Sequence, residues 1–207
     1  MTGTSPARPK WRRAETAFLL GGGPSLKAPD VDRLRGRGRT IAINNAYQLA
    51  PWADCYYWAD RQWFEWHHAA LTAYPATPKF TRAAPHIRHG VENVTVLDWG
   101  DRRALATEWG EIVGLDSGSN AINLAYLLGA GRIVLLGFDM RENGHWHPDH
   151  PNPVRAGIYA ERYIPGMIRM AKALRPTGVQ VLNASPGSAL TCFPKVDLEA
   201  LLDGGTV

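Results

Sequence analysis

The sequence predicts an α/β protein with a doubly wound, mostly parallel sheet and helices on both faces. Strand-like and helix-like stretches alternate along the chain, which is the order that βαβ units produce. Residues 133–138 form an apolar run, typical of a strand that a parallel sheet buries on both faces. Three consecutive glycines, at 21–23, follow the first apolar strand and predict a tight turn at its carboxyl end.

The elements can be assigned in chain order. Apolar and β-branched runs predict strands at 16–20, 39–47, 54–60, 77–82, 93–99, 132–140 and 178–185. Helical spacing of apolar residues predicts helices at 61–71, 119–129, 158–175 and 195–202. The helix at 119–129 has the clearest pattern, and Gly129 ends it. The alternation predicts a Rossmann-like arrangement.

Length and composition restrict the class of protein. The chain has 207 residues, of which 45% are hydrophobic and 20% charged, as expected for one globular domain. It lacks a run of 18 apolar residues, so no membrane span is expected, and its basic start lacks the apolar stretch of a signal peptide. Two cysteines, Cys55 and Cys192, are too few for a disulfide framework or a zinc cluster. A cytoplasmic location is therefore expected.

The net charge of +4 comes from the beginning of the chain. Arg8, Lys10, Arg12 and Arg13 lie there without an acidic residue, and the rest carries 19 basic and 19 acidic residues. We therefore expect a basic flexible tail at 1–13 and a single nucleotide-binding domain at 14–207. Such a tail is usually a solvated terminus, although it could touch nucleic acid. The sequence leaves open whether the chain forms a homo-oligomer.

Tryptophan is frequent, with eight residues, and is concentrated between Trp52 and Trp66. Most of these rings are expected in the core or in a pocket wall. The alternative is a platform on which a base or a sugar stacks.

The glycine turn is the first candidate site. Gly21, Gly22 and Gly23 let a ligand approach the backbone, and Pro24 and Ser25 complete the turn. Nearby amides and the Ser25 hydroxyl could meet a phosphate or a ribose. The turn is neither G-x-G-x-x-G nor a P-loop. A plain strand-exit turn is the alternative.

Polar residues also end three other predicted strands. Asn44 and Asn45 follow the second strand, Asp60 the third, and Asp139 the apolar strand. Ligands of open α/β sheets bind beyond the carboxyl ends of strands, so these side chains are candidates for nucleotide binding. Asp60 could instead cap the helix that follows it.

The segment before the helix at 119–129 could bind an anion. Ser117, Gly118 and Ser119 precede that helix, whose N-terminal amides favour negative charge. Ser119 or Asn120 could also be there only as the helix cap.

A loop at 141–157 contains three histidines. His145, His147, Asp149 and His150 match the H-x-H-x-D-H motif of dinuclear metallo-hydrolases, but no histidine follows to complete that site. A solvated polar loop is one interpretation. The other is that His147 or His150 acts as a general base, because histidine can remove a hydroxyl proton near neutral pH. Arg141 and Arg155 flank the loop and could neutralise phosphates.

Residues 21–26 (GGGPSL), 43–45 (INN) and 117–140 (SGSNAINLAYLLGAGRIVLLGFDM) together resemble two related families. One consists of small bacterial sialyltransferases that use CMP-sialic acid. The other is the 6-hydroxymethylpterin pyrophosphokinase-like family, which uses ATP with magnesium. The matching motifs lie within residues 17–60 and 115–140. The histidine loop and the end of the chain also resemble short proteins of phages and prophages.

The sialyltransferase resemblance implies roles for individual residues. Gly22, Gly23, Ser25 and Asn44 would contact a CMP-type nucleotide, and Ser117 and Gly118 would line the donor cleft. His147 or His150 would be the base. The acceptor would be a glycan or a small molecule.

The pyrophosphokinase resemblance implies a different use of the same edge of the sheet. Asp60 stands where the sialyltransferases have asparagine, and together with Asp139 it would suit magnesium-bound ATP. The sequence thus favours a transferase with a nucleotide-activated donor. The alternatives are a magnesium-dependent pyrophosphokinase and a nucleotide-binding module without catalysis.

Overall fold

The structure is a computed structural model that describes residues 10–82, 89–100, 103–148 and 155–204. Within these residues the strands are β1 (Thr16–Leu20), β2 (Arg39–Ile43), β3 (Cys55–Trp58), β4 (Lys79–Thr81), β5 (Val94–Val96), β6 (Asp98–Trp99), β7 (Glu111–Ile112), β8 (Arg132–Leu136) and β9 (Gln180–Asn183). Seven of them form one parallel sheet in the order β5-β4-β3-β2-β1-β8-β9, and β6 pairs with β7. The predicted parallel α/β fold is confirmed.

The strand order reverses at β1. From β1 the chain moves outward through β2, β3, β4 and β5, and it later returns to place β8 and β9 on the other side of β1. Leu19 therefore lies between Ile41 of β2 and Leu135 of β8. In open α/β sheets the crevice beyond such a reversal is where ligands bind. The fold thus directs attention to the loops that follow β1 and β8.

Helices cover both faces of the sheet. The α-helices are α1 (Ala28–Asp32), α2 (Arg61–Leu71), α3 (Ser117–Leu128), α4 (Ile164–Leu174) and α5 (Leu198–Leu202). Successive residues of β1 point to opposite faces: Ala17 and Leu19 pack with residues of α3 and α4, and Phe18 and Leu20 pack with residues of α1 and α2. The apolar strands are buried on both faces, which explains why they lack an alternating polar pattern.

Helix α3 is covered on its outer side as well. Ten of its twelve residues are buried. Asn123 fixes the covering segment, because its Oδ1 accepts hydrogen bonds from the amides of Ala106 and Val113 at 3.1 and 2.9 Å. The loosely patterned middle of the sequence therefore has a definite role: it encloses this central helix.

The predicted helix at 158–175 has two parts. A π-helical turn, Tyr159–Tyr163, precedes α4, which ends at Leu174. Pro165 lies in the first turn of α4, directly after the π-helical turn. The wider turn therefore ends just before the proline.

The residues just before the domain contact it. The Trp11 amide donates to the Leu128 carbonyl at 2.7 Å, and the Arg13 guanidinium donates to the Thr177 carbonyl at 2.6 Å. These two residues of the predicted tail therefore pack on the domain, and residues 1–9 lie outside the described part of the chain. Across the described ranges, no helix has the length and apolarity needed to traverse a bilayer.

Candidate functional site

A cavity of about 490 Å³ opens at the carboxyl ends of β1 and β8. This volume is within the usual range for small-molecule sites. Its floor consists of the glycine turn after β1 and the loop after β8, and its sides come from the ends of β2 and β3, the start of α3 and the π-helical turn. We call this the main cavity. The sequence-predicted residues that line it are Gly21, Gly22, Gly23, Asn44, Asp60, Ser117, Gly118, Asp139, Arg141 and Arg155.

The glycine turn is fixed to the loop after β8. The Gly23 amide donates to the Gly137 carbonyl at 2.8 Å, and the Ser25 hydroxyl donates to Asp139 Oδ2 at 2.6 Å. A β-carbon on Gly23 would collide with the Asp139 carboxylate and would lie 2.7 Å from the Gly137 carbonyl oxygen. Glycine is therefore required here for close packing. Ser25 and Asp139 brace the floor of the main cavity, and Pro24 continues the turn beside them.

Two residues of the cavity wall have a strained backbone. Asn44 and Met140 have φ values of 50° and 51°, in the left-handed region that residues other than glycine seldom adopt. The Oδ1 atom of Asn44 is buried, and within the described residues it has no hydrogen-bond partner. Strain and unpaired polar atoms concentrate at functional sites. Both observations mark this edge of the sheet as a candidate binding site.

At the start of α3, Ser119 has a structural role, whereas its neighbours Ser117 and Gly118 face the main cavity. Asp116 is the N-cap: its Oδ1 accepts from the Ser119 amide at 3.1 Å, and the Ser119 hydroxyl also bonds to it. The cap is therefore Asp116 and not Ser119 or Asn120, because the helix begins at Ser117. Ser119 is buried in this capping box, whereas Ser117 and Gly118 line the main cavity. Burial raises the pKa of Asp116, and the hydrogen bonds from Ser119 oppose that rise.

Among the described residues, three arginines line the main cavity. Arg141 donates from Nε to the Gly187 carbonyl at 2.7 Å, which fixes its guanidinium, and Arg155 pairs with Glu161 at 2.6 Å. Arg82, from the end of β4, was not predicted from the sequence. Guanidinium groups bind phosphate and carboxylate groups with several hydrogen bonds. These guanidinium groups can contact an anionic ligand, and three carboxylates, those of Asp60, Asp116 and Asp139, line the same cavity.

A second cavity of about 180 Å³ adjoins the main one. The two share Gly22, Ile43, Asn44, Asp60 and His145, and the remaining wall of the second cavity consists of Asn45, Gln62, Trp63, Trp66 and His147. His145 thus lies at the boundary between the two spaces.

The histidine loop is attached to the glycine turn. Nδ1 of His145 lies 3.1 Å from the Gly22 carbonyl oxygen, and the Trp146 amide donates to the same oxygen at 3.1 Å. The rings of His145 and His147 stack with centroids 5.3 Å apart. These contacts place both rings beside the cavity floor. His150, the third candidate, lies outside the described residues.

A hydrogen-bond relay orients His147. The Trp63 indole can only donate, so the atom of Asn45 that it meets at 2.6 Å is Oδ1. Asn45 Nδ2 then faces His147 Nδ1 at 3.3 Å and donates to it. The neutral His147 ring therefore has its hydrogen on Nε2. At His145 the carbonyl of Gly22 accepts from Nδ1, which leaves the lone pair on Nε2.

The sequence pattern did not single out several residues of the main cavity. Tyr159 and Tyr163 come from the π-helical turn, with ring centroids 5.6 Å apart, and burial raises the pKa of both phenols. His145 belongs to the motif noted in the sequence but was not chosen as a candidate. The spacing of four residues between the two tyrosines could have indicated from the sequence that they lie together. Arg82 ends the strand predicted at 77–82, so its place at the edge of the sheet is a signal that could also have indicated it.

Among the described residues, no group of three or more histidine, cysteine or acidic side chains is arranged to hold a metal ion. Asp60 and Asp139 both line the main cavity, and Oδ2 of Asp139 already accepts from Ser25.

Comparisons with known proteins give a structural likeness only. No protein-family model matches the sequence, and no curated protein matches it. The sialyltransferase CstII from Campylobacter jejuni in complex with cytidine-5'-monophosphate is similar, with a TM-score of 0.56 and 15% identity over 89% of this chain and 85% of that one. A sialyltransferase CST-II complex with a trisaccharide acceptor and CMP gives a TM-score of 0.54 and 14% identity, covering 87% of this chain and 85% of that one.

A third similar structure is CstII with the substrate analogue CMP-3FNeuAc. Its TM-score is 0.51 with 14% identity, and the match covers 88% of this chain and 86% of that one. At such low identity the likeness concerns the fold. The chain therefore has the Rossmann-like fold of these sialyltransferases.

Proposed function

We propose that the protein is a transferase that uses a nucleotide-activated sugar of the CMP type, as a sialyltransferase-like glycosyltransferase does. The observation that carries the proposal is the main cavity. It lies at the point where the strand order reverses, with a glycine turn at its floor and three arginines at its walls. Such a site suits the phosphate and ribose of a nucleotide.

The similar structures support the CMP type in particular. CstII has been solved with CMP, with the analogue CMP-3FNeuAc and with a trisaccharide acceptor. In this chain Gly22, Gly23 and Asn44 would hold the nucleotide, and Ser117 and Gly118 would line the donor. Arg82, Arg141 and Arg155 would meet the negative charges of the donor, and CMP-sialic acid carries a phosphate and a carboxylate.

The reaction would be a displacement at the anomeric carbon of the donor sugar. An acceptor hydroxyl oxygen forms the new bond to that carbon, and the bond from the carbon to the phosphate oxygen breaks. CMP leaves with the electron pair of that bond, and the hydroxyl proton passes to a base. The arginines would stabilise the charge that develops on the leaving phosphate.

A histidine of the loop is the proposed base, because a neutral imidazole can remove a proton from a hydroxyl. The relay through Asn45 argues against His147 in the observed arrangement, since its Nδ1 lone pair accepts from Asn45 and its Nε2 bears hydrogen. The contact with Gly22 instead leaves a lone pair on Nε2 of His145; the ring lines both cavities, and this atom is buried in the observed arrangement. We therefore assign the base to His145 or His150 and assign a positioning role to His147.

A thermal-shift panel tests the donor class. CMP, CDP, UDP, GDP and ATP are each added with and without magnesium, because a ligand that binds the native state raises the melting temperature. The proposal predicts stabilisation by CMP without a metal requirement. Stabilisation by ATP only with magnesium would favour the pyrophosphokinase alternative and move attention to Asp60 and Asp139.

Release of CMP from CMP-N-acetylneuraminic acid then tests catalysis. The wild type is compared with His145→Ala, His147→Ala and His150→Ala in the presence of glycan acceptors. Loss of the base should lower transfer by roughly 10²–10⁴-fold while CMP binding is retained. CMP binding with no turnover in any of these proteins would leave the non-catalytic nucleotide-binding module as the better description.

A further inference from the structure

We infer that the second cavity is the acceptor subsite and that it takes the ring of a neutral hexose, stacked on Trp66. This inference rests on the proposed function, because an acceptor is required only if a group is transferred. It adds a location, a charge preference and a contact surface for that acceptor.

The position of the cavity suits an acceptor. It shares Gly22, Asn44, Asp60 and His145 with the main cavity, so a molecule in one space touches the walls of the other. Its volume of about 180 Å³ is below the usual range for a drug-sized ligand and leaves room for a single ring. The acceptor hydroxyl would enter beside the histidine loop.

One wall is aromatic. Trp66 is 41% exposed, although α2 buries its neighbours Trp63 and Phe64. The indole of Trp63 is committed to Asn45 through its N–H and to the His67 ring by stacking at 4.5 Å. Trp66 is therefore the tryptophan of this wall with a surface open to solvent. The C–H face of a hexose packs well on such a surface. Without a ligand, the exposed part of the Trp66 indole contributes no stabilisation from burial.

The second cavity also has hydrogen-bonding groups suited to hydroxyls. Asp60 and Gln62 are exposed at the start of α2, and Asn44 has its buried Oδ1 at the boundary with the main cavity. Within the described chain, the Asp60 side chain makes no capping hydrogen bond to α2. Helix capping therefore does not explain why an aspartate is found at this position.

The charges of the two cavities differ, and this sets the acceptor class. Arginines and aspartates both line the main cavity, whereas among the described residues that line the second cavity Asp60 is the one acidic side chain and no lysine or arginine accompanies it. A carboxylate accepts hydrogen bonds from hydroxyls but repels an acidic sugar. The second cavity therefore favours a neutral hexose over a sialic acid.

Saturation-transfer NMR tests the inference on the full chain. Methyl β-D-galactopyranoside, methyl β-D-glucopyranoside and N-acetylneuraminic acid are the probes, each measured with a saturating concentration of CMP. We expect a signal from at least one neutral glycoside and none from the acidic sugar. Trp66→Ala should weaken glycoside binding roughly tenfold, and Trp66→Phe should keep it.

Trp52→Ala is the matched control, because Trp52 lies outside both cavities, where the Arg35 guanidinium packs 4.8 Å from its ring centre. It should bind the glycoside as the wild type does. An unchanged signal in Trp66→Ala, displacement of the glycoside by CMP, or equal binding of the acidic sugar would overturn the inference. If CMP fails to bind but the glycoside signal depends on Trp66, the sugar site stands and the transferase proposal falls.

Discussion

The hydroxyl of Ser25 and the carboxylate of Asp139 meet at 2.6 Å across the point where the strand order of the sheet reverses. Ser25 follows β1 and Asp139 follows β8, so this hydrogen bond joins the two loops that form the floor of the main cavity. Asp139 is 6% exposed, and its Oδ2 also faces the Ser25 amide at 3.4 Å. This carboxylate therefore holds the two loops together beside the backbone hydrogen bond from Gly23 to Gly137.

Ser25→Ala should destabilise the fold by about 1.5–3 kcal/mol, because it removes a hydrogen bond to a buried charged group. A double-mutant cycle with Asp139→Ala, followed by urea unfolding, measures the coupling between the two residues. The account expects a coupling free energy of at least about 1 kcal/mol. Additive effects of the two substitutions would show that the bond contributes nothing.

Gly23→Ala should cost at least about 2 kcal/mol, because the added methyl group meets the Asp139 carboxylate and a backbone oxygen that cannot move aside. Gly36→Ala is the comparison: Gly36 has a φ of 73° but no atom within 4 Å of the added carbon. Its cost, about 1 kcal/mol, is that of the left-handed backbone alone. Equal losses in urea unfolding would contradict the close packing proposed at Gly23.

His145 and His147 should have opposite tautomers when neutral. Their partners place the hydrogen of His145 on Nδ1 and that of His147 on Nε2. Long-range ¹H–¹⁵N spectra at mildly alkaline pH distinguish the protonated nitrogen of each ring. Asn45→Ala should release the tautomer of His147 and leave that of His145 unchanged. Finding the same tautomer in both wild-type rings would refute the relay.

Because of Lys79, the free energy of unfolding should depend on pH in the alkaline range. Its buried ammonium donates to the carbonyls of Tyr74, Thr77 and Glu92, and burial lowers its pKa from 10.5 to about 8. Between these two values the unfolded chain binds more protons than the folded one, so the free energy of unfolding rises with pH.

The control for Lys79 is Lys79→Met, which removes the titrating group. Urea unfolding of each protein at about pH 7.5 and about pH 9.5 measures how its free energy of unfolding changes with pH. The wild type should gain stability relative to the variant as the pH rises. If the free energy of unfolding changes equally with pH in both proteins, the pKa of Lys79 is the same in the folded and unfolded chains.

The sequence predicts the fold because buried parallel strands are apolar on both faces, and such runs stand out between polar loops. It also predicts many residues of the main cavity, since polar residues that end parallel strands must lie at one edge of the sheet. It could not predict the relay from Trp63 through Asn45 to His147, because the last two residues are 102 positions apart and the loop between β8 and α4 has no periodic pattern. The π-helical turn lies within the helix predicted at 158–175, whose apolar spacing does not distinguish a π-helical turn from an α-helical one.

The most direct test of the central claim is calorimetric titration with CMP. Asn44 and Asn93 both have a left-handed backbone, with φ values of 50° and 55°, but Asn44 lines the main cavity whereas Asn93 is exposed and bonds to the Ala76 carbonyl. Alanine at either position therefore adds similar backbone strain. The account predicts that the wild type and Asn93→Ala bind CMP equally, and that Asn44→Ala binds it about tenfold or more weakly. CMP binding that is unchanged in Asn44→Ala, or absent from the wild type, would contradict a CMP-type site in the main cavity.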